Sequence, residues 1–435
     1  MFHTMKQLFA PTNKDLRKRI LFTLGALMIF VIGTSIRVPG TDEITRNLGF
    51  LELMNAMGGG GLKNFSIFAL GVMPYITASI IMQLLQMVVP SLERLAKEGG
   101  EMGKQKINKI TKIVTIVLAT VEAIGIYISY SVSGIFVDDG FLTGFMVVLS
   151  LVTGTSILMW LGDQITKKGI GNGISMIIFV GIIAGLPTLL TTIWGLLFTV
   201  TGFSTAGLIK SLGLLVGAIL LVAAVVFVQK AERRIPVQYA KKVVGRKMYG
   251  GQNTHIPLKL AMAGVIPIIF ASSFMTFPAL IIQIFNPDVA TETGFLNMLY
   301  QFSLATSSSD VALGYIIANA LVYILLILGF TFFYTYAVFN PAEVSVNIKK
   351  NGGFIPGIRA GKPTTEFLTS VTTKLTVFGG IYLGIIATLP MFMKFTGINI
   401  AFGGTSILIV VGVVIEIIQQ LESQLVMRHY KGFLE

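Results

Sequence analysis

Ten mostly apolar runs, almost free of charge, divide this chain, and nearly all of its charges lie between them. The runs fall near 20–39, 75–90, 113–133, 143–162, 174–193, 212–229, 262–285, 313–338, 374–392 and 405–421. About 20 apolar residues make one helix long enough to cross a bilayer, and a helix satisfies its own backbone in hydrocarbon. The chain therefore reads as an all-α integral membrane protein with ten transmembrane helices. Charged residues make up 12% of the sequence, about half the roughly 25% of soluble domains. That excludes a soluble multidomain enzyme and a disordered chain. The first run, Ile20 to Ile36, holds 17 uncharged residues and ends in Arg37-Val-Pro-Gly. It is longer than a signal-peptide core and lacks a small-residue cleavage site, so it reads as a retained span.

The net charge of +13 has a side. Ten spans put both termini on one face, and that face carries 28 of the 33 Lys and Arg. The other face has Arg37, Arg46, Lys63, Lys210 and Lys394. With the acids included, the two faces carry +18 and −3, and Glu122 and Glu416 lie within spans. The positive-inside rule makes the basic face cytoplasmic. A miscounted span would have scrambled this asymmetry.

Two segments of the basic face are long and patterned. Residues 230–259 alternate β-branched or aromatic residues with cations and include Arg233, Arg234, Lys241, Lys242, Arg246 and Lys247. Residues 340–374 include Lys349-Lys350-Asn-Gly-Gly-Phe-Ile-Pro-Gly-Ile-Arg359. One reading is a solvated face that fixes topology and holds anionic lipid headgroups. The other is a docking platform for an acidic protein or for rRNA. Composition does not choose between them.

From Asn64 to Leu92 the chain runs 29 residues without a charge, too many for one untilted helix. Gly71-Val-Met-Pro74 interrupts the run, and Gly58 to Gly61 precede it. Pro removes a backbone donor and clashes with the preceding turn. Either one long helix kinks here, or a short half-helix near 62–72 precedes a full span. Broken backbone at membrane depth survives only inside protein or along a cavity, so the second reading implies a pore.

Chemistry is scarce. The chain has no cysteine, and His3, His255 and His429 lie far apart, so no thiolate, disulfide or zinc motif exists. Gly361-Lys362 lacks the glycine and the Ser/Thr of a phosphate loop, and Gly169-Ile-Gly-Asn-Gly173 reads as a tight turn opening a span. Trp160 breaks the aspartyl-protease pattern before Asp163. No cofactor is implied, and no enzyme. The buried carboxylate of Glu122 reads either as a functional group or as a neutral structural acid.

Several long motifs, in order, resemble the SecY/Sec61-alpha family, whose members are the channel subunits of the Sec protein translocase. They are Ser66-Ile-Phe-Ala-Leu-Gly-Val-Met-Pro-Tyr-Ile-Thr-Ala-Ser-Ile-Ile-Met-Gln-Leu-Leu85, Lys97-Glu-Gly-Gly-Glu-Met-Gly-Lys-Gln-Lys-Ile107 and Gly169-Ile-Gly-Asn-Gly-Ile-Ser175. Ala263-Gly-Val-Ile-Pro267 with Phe270-Ala-Ser-Ser273, and Phe354-Ile-Pro-Gly-Ile-Arg359, complete the set. The resemblance implies two pseudo-symmetric five-helix halves around an hourglass pore, residues 20–193 and 194–421. Residues 1–19 and 422–435 would be cytoplasmic tails of a bacterial plasma-membrane protein.

The same resemblance implies roles by residue. A pore ring would be formed by Val72, Ile76, Ile174, Ile178, Ile269 and Ile409, with Val72 smaller than the isoleucine common there. A plug half-helix near 60–72 would include Gly60, Leu62, Phe65, Phe68 and Leu70. A lateral gate would set Thr77, Ser79 and Gln83 against Ser272, Ser273 and Phe277, with Glu122 holding it shut by hydrogen bonds. The implied partners are the SecE and SecG subunits, the SecA ATPase, the ribosome, signal sequences and nascent chains. The basic segments, Arg359 above all, would dock the motor or the ribosome. Ala360 stands where the family has proline.

A secondary transporter with inverted repeats and a broken helix is the main rival reading. It would want paired charges at the midplane, where these motifs place Val and Ile. An accessory translocase channel is a narrower alternative, against which the full set of cytoplasmic motifs stands.

Overall fold

The structure is a computed structural model that describes residues 14–41, 55, 58–131, 136, 140–199, 202–203, 205–239, 242–244, 247–249, 253–286, 294–304, 313–393 and 404–431. Each of the ten apolar runs lies on a helix. The first is α1 (Lys14–Gly33). It stops short of the run's expected end, at a glycine whose Cβ would overlap the Phe68 ring. The second, α2 (Met73–Val88), opens with Pro74 in its first turn, where a missing N–H costs nothing. At Val89 the chain bends by 100° into α3 (Pro90–Lys97).

Helices α4 (Gly100–Ser131) and α5 (Phe141–Lys168) follow as long rods. The fifth run is interrupted at Gly185, ahead of Pro187, into α6 (Gly173–Ala184) and α7 (Leu186–Leu197). A small hairpin, β1 (Phe198–Thr199) with β2 (Gly202–Phe203), leads to α8 (Thr205–Lys230).

The remaining long helices are α9 (Ile266–Phe285), α11 (Leu313–Val338), α13 (Lys362–Met393) and α14 (Gly404–Lys431). Two shorter helices, α10 (Phe295–Leu304) and α12 (Pro341–Lys350), lie on either side of α11 in sequence. Among the described residues six helical stretches are long and apolar enough to cross a membrane alone, and the bent pair α2–α3 makes a seventh. The chain is a multi-pass membrane protein. On α8, Ile209, Leu212, Ile219, Leu220 and Phe227 all stay exposed, as a helix facing lipid requires.

Two apolar clusters hold the helices together. The first gathers α1, α2, α4, α5 and α6 and reaches across to Ile269 and Ile409. The second gathers α8, α9, α11, α13 and α14 around the buried Tyr323 and Ile327.

Residues 230–259 are not a plain loop. They carry β3 (Glu232–Tyr239), β4 (Lys242–Val244), β5 (Lys247–Tyr249) and β6 (Asn253–Lys259). Strands β3 and β6 pair antiparallel, with Ile235 opposite Ile256. A third strand, β7 (Gly353–Phe354), joins the far edge of β3. Pro236 faces His255 and Pro257 faces Arg234, so both prolines share the register that exchanges no ladder hydrogen bonds between β3 and β6. Ile235, Val237 and Leu258 turn inward onto Ile348, Ile355, Leu368 and Val371. The alternation of cations with β-branched residues is thus a strand's two faces, one packed and one solvated.

Candidate functional site

Val72 and Ile76 stand one helical turn apart at the start of α2, and Ile174 and Ile178 do the same on α6. Ile269 begins α9 and Ile409 lies in the first half of α14. Five of these side chains are buried members of one apolar cluster and Ile174 packs against it. Four helices, two from each end of the chain, therefore bring their aliphatic side chains to a single place.

Against the same cluster sits the segment ahead of α2. Leu62, Phe65, Phe68 and Leu70 are all buried there, while Gly60 is half-buried. The segment is not the regular half-helix expected over 62–72: residues 58–72 are turns, broken only at Ser66, which bridges to Arg37. The reason is local. Gly59, Gly60 and Gly71 have φ of +69°, +80° and +57°, and Phe65 has +46°, conformations that end a right-handed helix.

Short hydrogen bonds hold the turns instead: Ser66 N to Gly61 O at 2.8 Å and Gly71 N to Phe68 O at 2.8 Å. The chain just after α1 clips the segment. Val38 N donates to Phe65 O at 2.9 Å, and Ile67 N to Ile36 O at 3.0 Å. From the other side, Gly154 of α5 makes the room: a Cβ there would overlap the Ile67 carbonyl. Gly33 and Gly154 were not singled out from sequence. A glycine in mid-span is the signal for such a close approach.

Helix α9 packs against both α2 and α4, so the elements expected to form a gate do meet. Thr77, Ser79 and Gln83 are half-buried on α2. The Thr77 hydroxyl donates to Met73 O of its own helix at 3.2 Å, and Ser272 Oγ donates to Ile269 O at 2.9 Å. Glu122 is buried on α4, yet its Oε2 has no hydrogen-bond partner, and neither has the buried Ser273 Oγ. The hydrogen bond expected of Glu122 is thus not made by that oxygen. Phe277 lies on α9 beside Pro278, and its side chain is outside the described residues. A buried polar atom without a partner is costly, and both α4 and α9 carry one. Tyr323, buried on α11, makes a side-chain hydrogen bond with Ser272 and ties α9 to its neighbour.

The Gly169–Gly173 segment is the tight turn expected, and it opens α6. Asn172 caps the helix, its Oδ1 accepting from Ile174 N at 3.1 Å. Lys112 and Asp163 pair across α4 and α5 near the basic end of both helices.

On the three-stranded sheet and its neighbours, Arg233, Arg234, Lys349, Lys350 and Arg359 are all exposed. Arg234 pairs with Glu232 at 2.6 Å. The backbone carbonyl of Arg359 accepts from Thr364 Oγ1 at 2.8 Å, which fixes the turn ahead of α13. Lys242 and Lys247 lie on β4 and β5, which pair with each other; their side chains are outside the described residues, as are Lys241 and Arg246 altogether. The two basic segments form one surface. Glu416, by contrast, is exposed on α14 and takes no part in the cluster.

This architecture has counterparts. The family model described as SecY matches residues 66–418. The protein translocase subunit SecY of Streptomyces scabiei is 44% identical, over 97% of this chain and 97% of its own. A solved structure in which the plug domain of SecY stabilises the closed translocation channel superposes with a TM-score of 0.66 at 20% identity, covering 94% of this chain and 92% of that one. Sec61 in the canine ribosome–channel complex does so with a TM-score of 0.63 at 19% identity, over 94% of this chain and 92% of its own.

Proposed function

The chain belongs to the SecY family, and on that premise we propose that it is the central channel subunit of a protein translocase. It conducts unfolded proteins across the membrane and releases apolar segments sideways into lipid. The observation that carries the reading is the convergence of Val72, Ile76, Ile178, Ile269 and Ile409 in one buried cluster with the turn segment 58–72 packed on it. A narrow aliphatic ring dewets, so ions and water are held back while a chain can push through. The turn segment is the plug of that ring. It must leave its seat for a chain to pass, and its short glycine-rich turns, belonging to no regular helix, suit a piece that unseats.

The seam between α9 and the pair α2 and α4 is the lateral gate. An apolar helix of about 20 residues gains by leaving through it into hydrocarbon, and the unpartnered Glu122 Oε2 and Ser273 Oγ keep the closed seam shallow in energy. The basic sheet face receives what drives the chain, the SecA ATPase or the ribosome, while SecE and SecG complete the complex and anionic lipids meet the cations at the interface. In this reading the membrane is the bacterial plasma membrane and both termini are cytoplasmic.

The test is reconstitution. The purified complex in proteoliposomes, supplied with a SecA-type ATPase, ATP and an unfolded secretory precursor, is expected to protect the precursor from external protease. Absence of protection, with the complex intact and the ATPase active, would overturn the reading.

A further inference from the structure

Besides the sequence-adjacent pair α7 and α8, the helices before β1 and those after β2 pack along two seams, and the seams are built differently. Along one, α9 packs on α2 and α4, and Glu122 of α4 and Ser273 of α9 each carry a buried oxygen without a partner. Along the other, α14 packs on α6, and there the Gly171 amide donates to Gln420 Oε1 at 2.6 Å.

The turn presenting that amide is fixed from three further directions. Ile170 N donates to Thr23 Oγ1 of α1 at 3.1 Å, and Gly173 N donates to Thr166 Oγ1 of α5 at 2.8 Å. Asn172 ties the turn to Ile174 on α6. Gly171 itself has φ +81°, a backbone state that glycine alone takes without strain. Beside it, Ile417 and Leu421 of α14 pack on Leu16 and Ile170. The turn is therefore a rigid junction of α1, α5 and α6, and Gln420 is the α14 side chain that grips it.

The junction leads directly into the constriction. Ile174 is the second residue of α6 and Ile178 follows one turn later. On the other partner, Ile409 lies eleven residues before Gln420 on the same helix, about 16 Å along the axis at 1.5 Å per residue. Rotation of α14 about this contact moves Ile409 relative to Ile174 and Ile178. The neighbouring Gln419 faces elsewhere and accepts from Lys259 Nζ at the end of β6 at 3.2 Å.

We propose that Gln420 is a positioning residue of the channel. Its bond to Gly171 is the pivot on which the two sets of helices rest, and it sets the closed register in which Ile409 meets Ile174 and Ile178. The inference rests on the channel reading above. It assigns the opposite seam the role of the part that opens, because the pivot side holds the short bond and the gate side holds the unpaired oxygens.

The full-length protein, purified with its bound subunits and reconstituted in planar bilayers, gives the test through its resting ion conductance. Gln420→Leu removes the acceptor and is expected to raise that conductance about two- to tenfold, the factor one hydrogen bond puts on a two-state equilibrium. Gln420→Glu keeps an acceptor oxygen and is expected to stay at the wild-type level, as is Gln419→Leu. A merely structural role would lower thermal stability in Gln420→Leu without moving resting conductance.

Wild-type conductance from a folded Gln420→Leu protein, or equal leakage from Gln420→Glu, would overturn the proposal. Should Gln420→Leu not be recovered folded, Gln420→Met, close in shape and without the oxygen, is measured in its place against the same two outcomes. Ile76→Gly serves as the reference leak. If it conducts and the folded Gln420 variant does not, the pivot alone fails; if neither conducts, the channel reading fails with it.

Discussion

Gln238 of β3 and Phe354 of β7 are antiparallel partners, so a strand from one basic segment lies beside a strand from the other. The pairing joins the two basic segments into one cationic surface carrying the exposed Arg233, Arg234, Lys349, Lys350 and Arg359, with Arg233 and Arg234, adjacent on β3, leaving the sheet on opposite sides. Gly353 allows it, since a Cβ there would come within 2.8 Å of the Tyr239 ring.

Charge reversal on that face is expected to act on docking and not on folding. Arg359→Glu should abolish ATPase-driven secretion while the protein still inserts and assembles. Arg234→Glu should weaken the same step, more so as ionic strength rises and screens what attraction remains. Secretion into inverted membrane vesicles is the measurement; normal secretion by Arg359→Glu would remove the docking role.

The plug's seat is set by two glycines, and filling either should unseat it. A Cβ on Gly154 overlaps the Ile67 carbonyl, a backbone atom that has nowhere to move without shifting the segment. Gly154→Val is expected to raise resting ion conductance, with the smaller Gly154→Ala giving a smaller rise. Gly213→Ala is the control, because nothing lies within 4 Å of a Cβ at that position. Equal, unchanged conductance in all three would show that the seat does not hold the plug.

What could be read from the sequence was whatever repeats locally. Apolar runs between charges locate the helices, because a span needs its length and its lack of charge in one continuous piece. The strand alternation of Ile235 and Val237 was equally visible, though its partner was not: β7 comes from the far side of α11, and no local pattern announces a pairing at that distance. The stretch near 62–72 reads as a half-helix in the sequence because the uncharged run is too long for one span and breaks at Gly71-Val-Met-Pro74. The positive φ of Gly59, Gly60, Phe65 and Gly71 decides otherwise, and Phe65 gives no hint of it. Gln420 escaped for a different reason, since its partner is a backbone amide, which every residue but proline has.

The gate can be locked, because the chain has no cysteine to interfere. Cysteines introduced at Thr77 and Phe277, joined by a short bifunctional reagent, are expected to block both membrane insertion and secretion, and reversal of the link should restore them. Transport that continues through the crosslinked protein would disprove a gate between α2 and α9.

The constriction gives the sharpest prediction, since its function rests on the absence of polar groups. An aspartate at position 76 places a carboxylate among Val72, Ile178 and Ile409, all buried in the same cluster. A charge cannot stay dry there, so water must enter with it and the barrier to ions falls. Ile76→Asp is expected to raise closed-state conductance in planar bilayers above that of Ile76→Gly, which widens the ring without adding a polar group. Ile76→Val, which removes one methylene and no polarity, should leave the seal close to intact. The order Asp above Gly above Val tests wetting against width: were width alone the barrier, glycine would leak most.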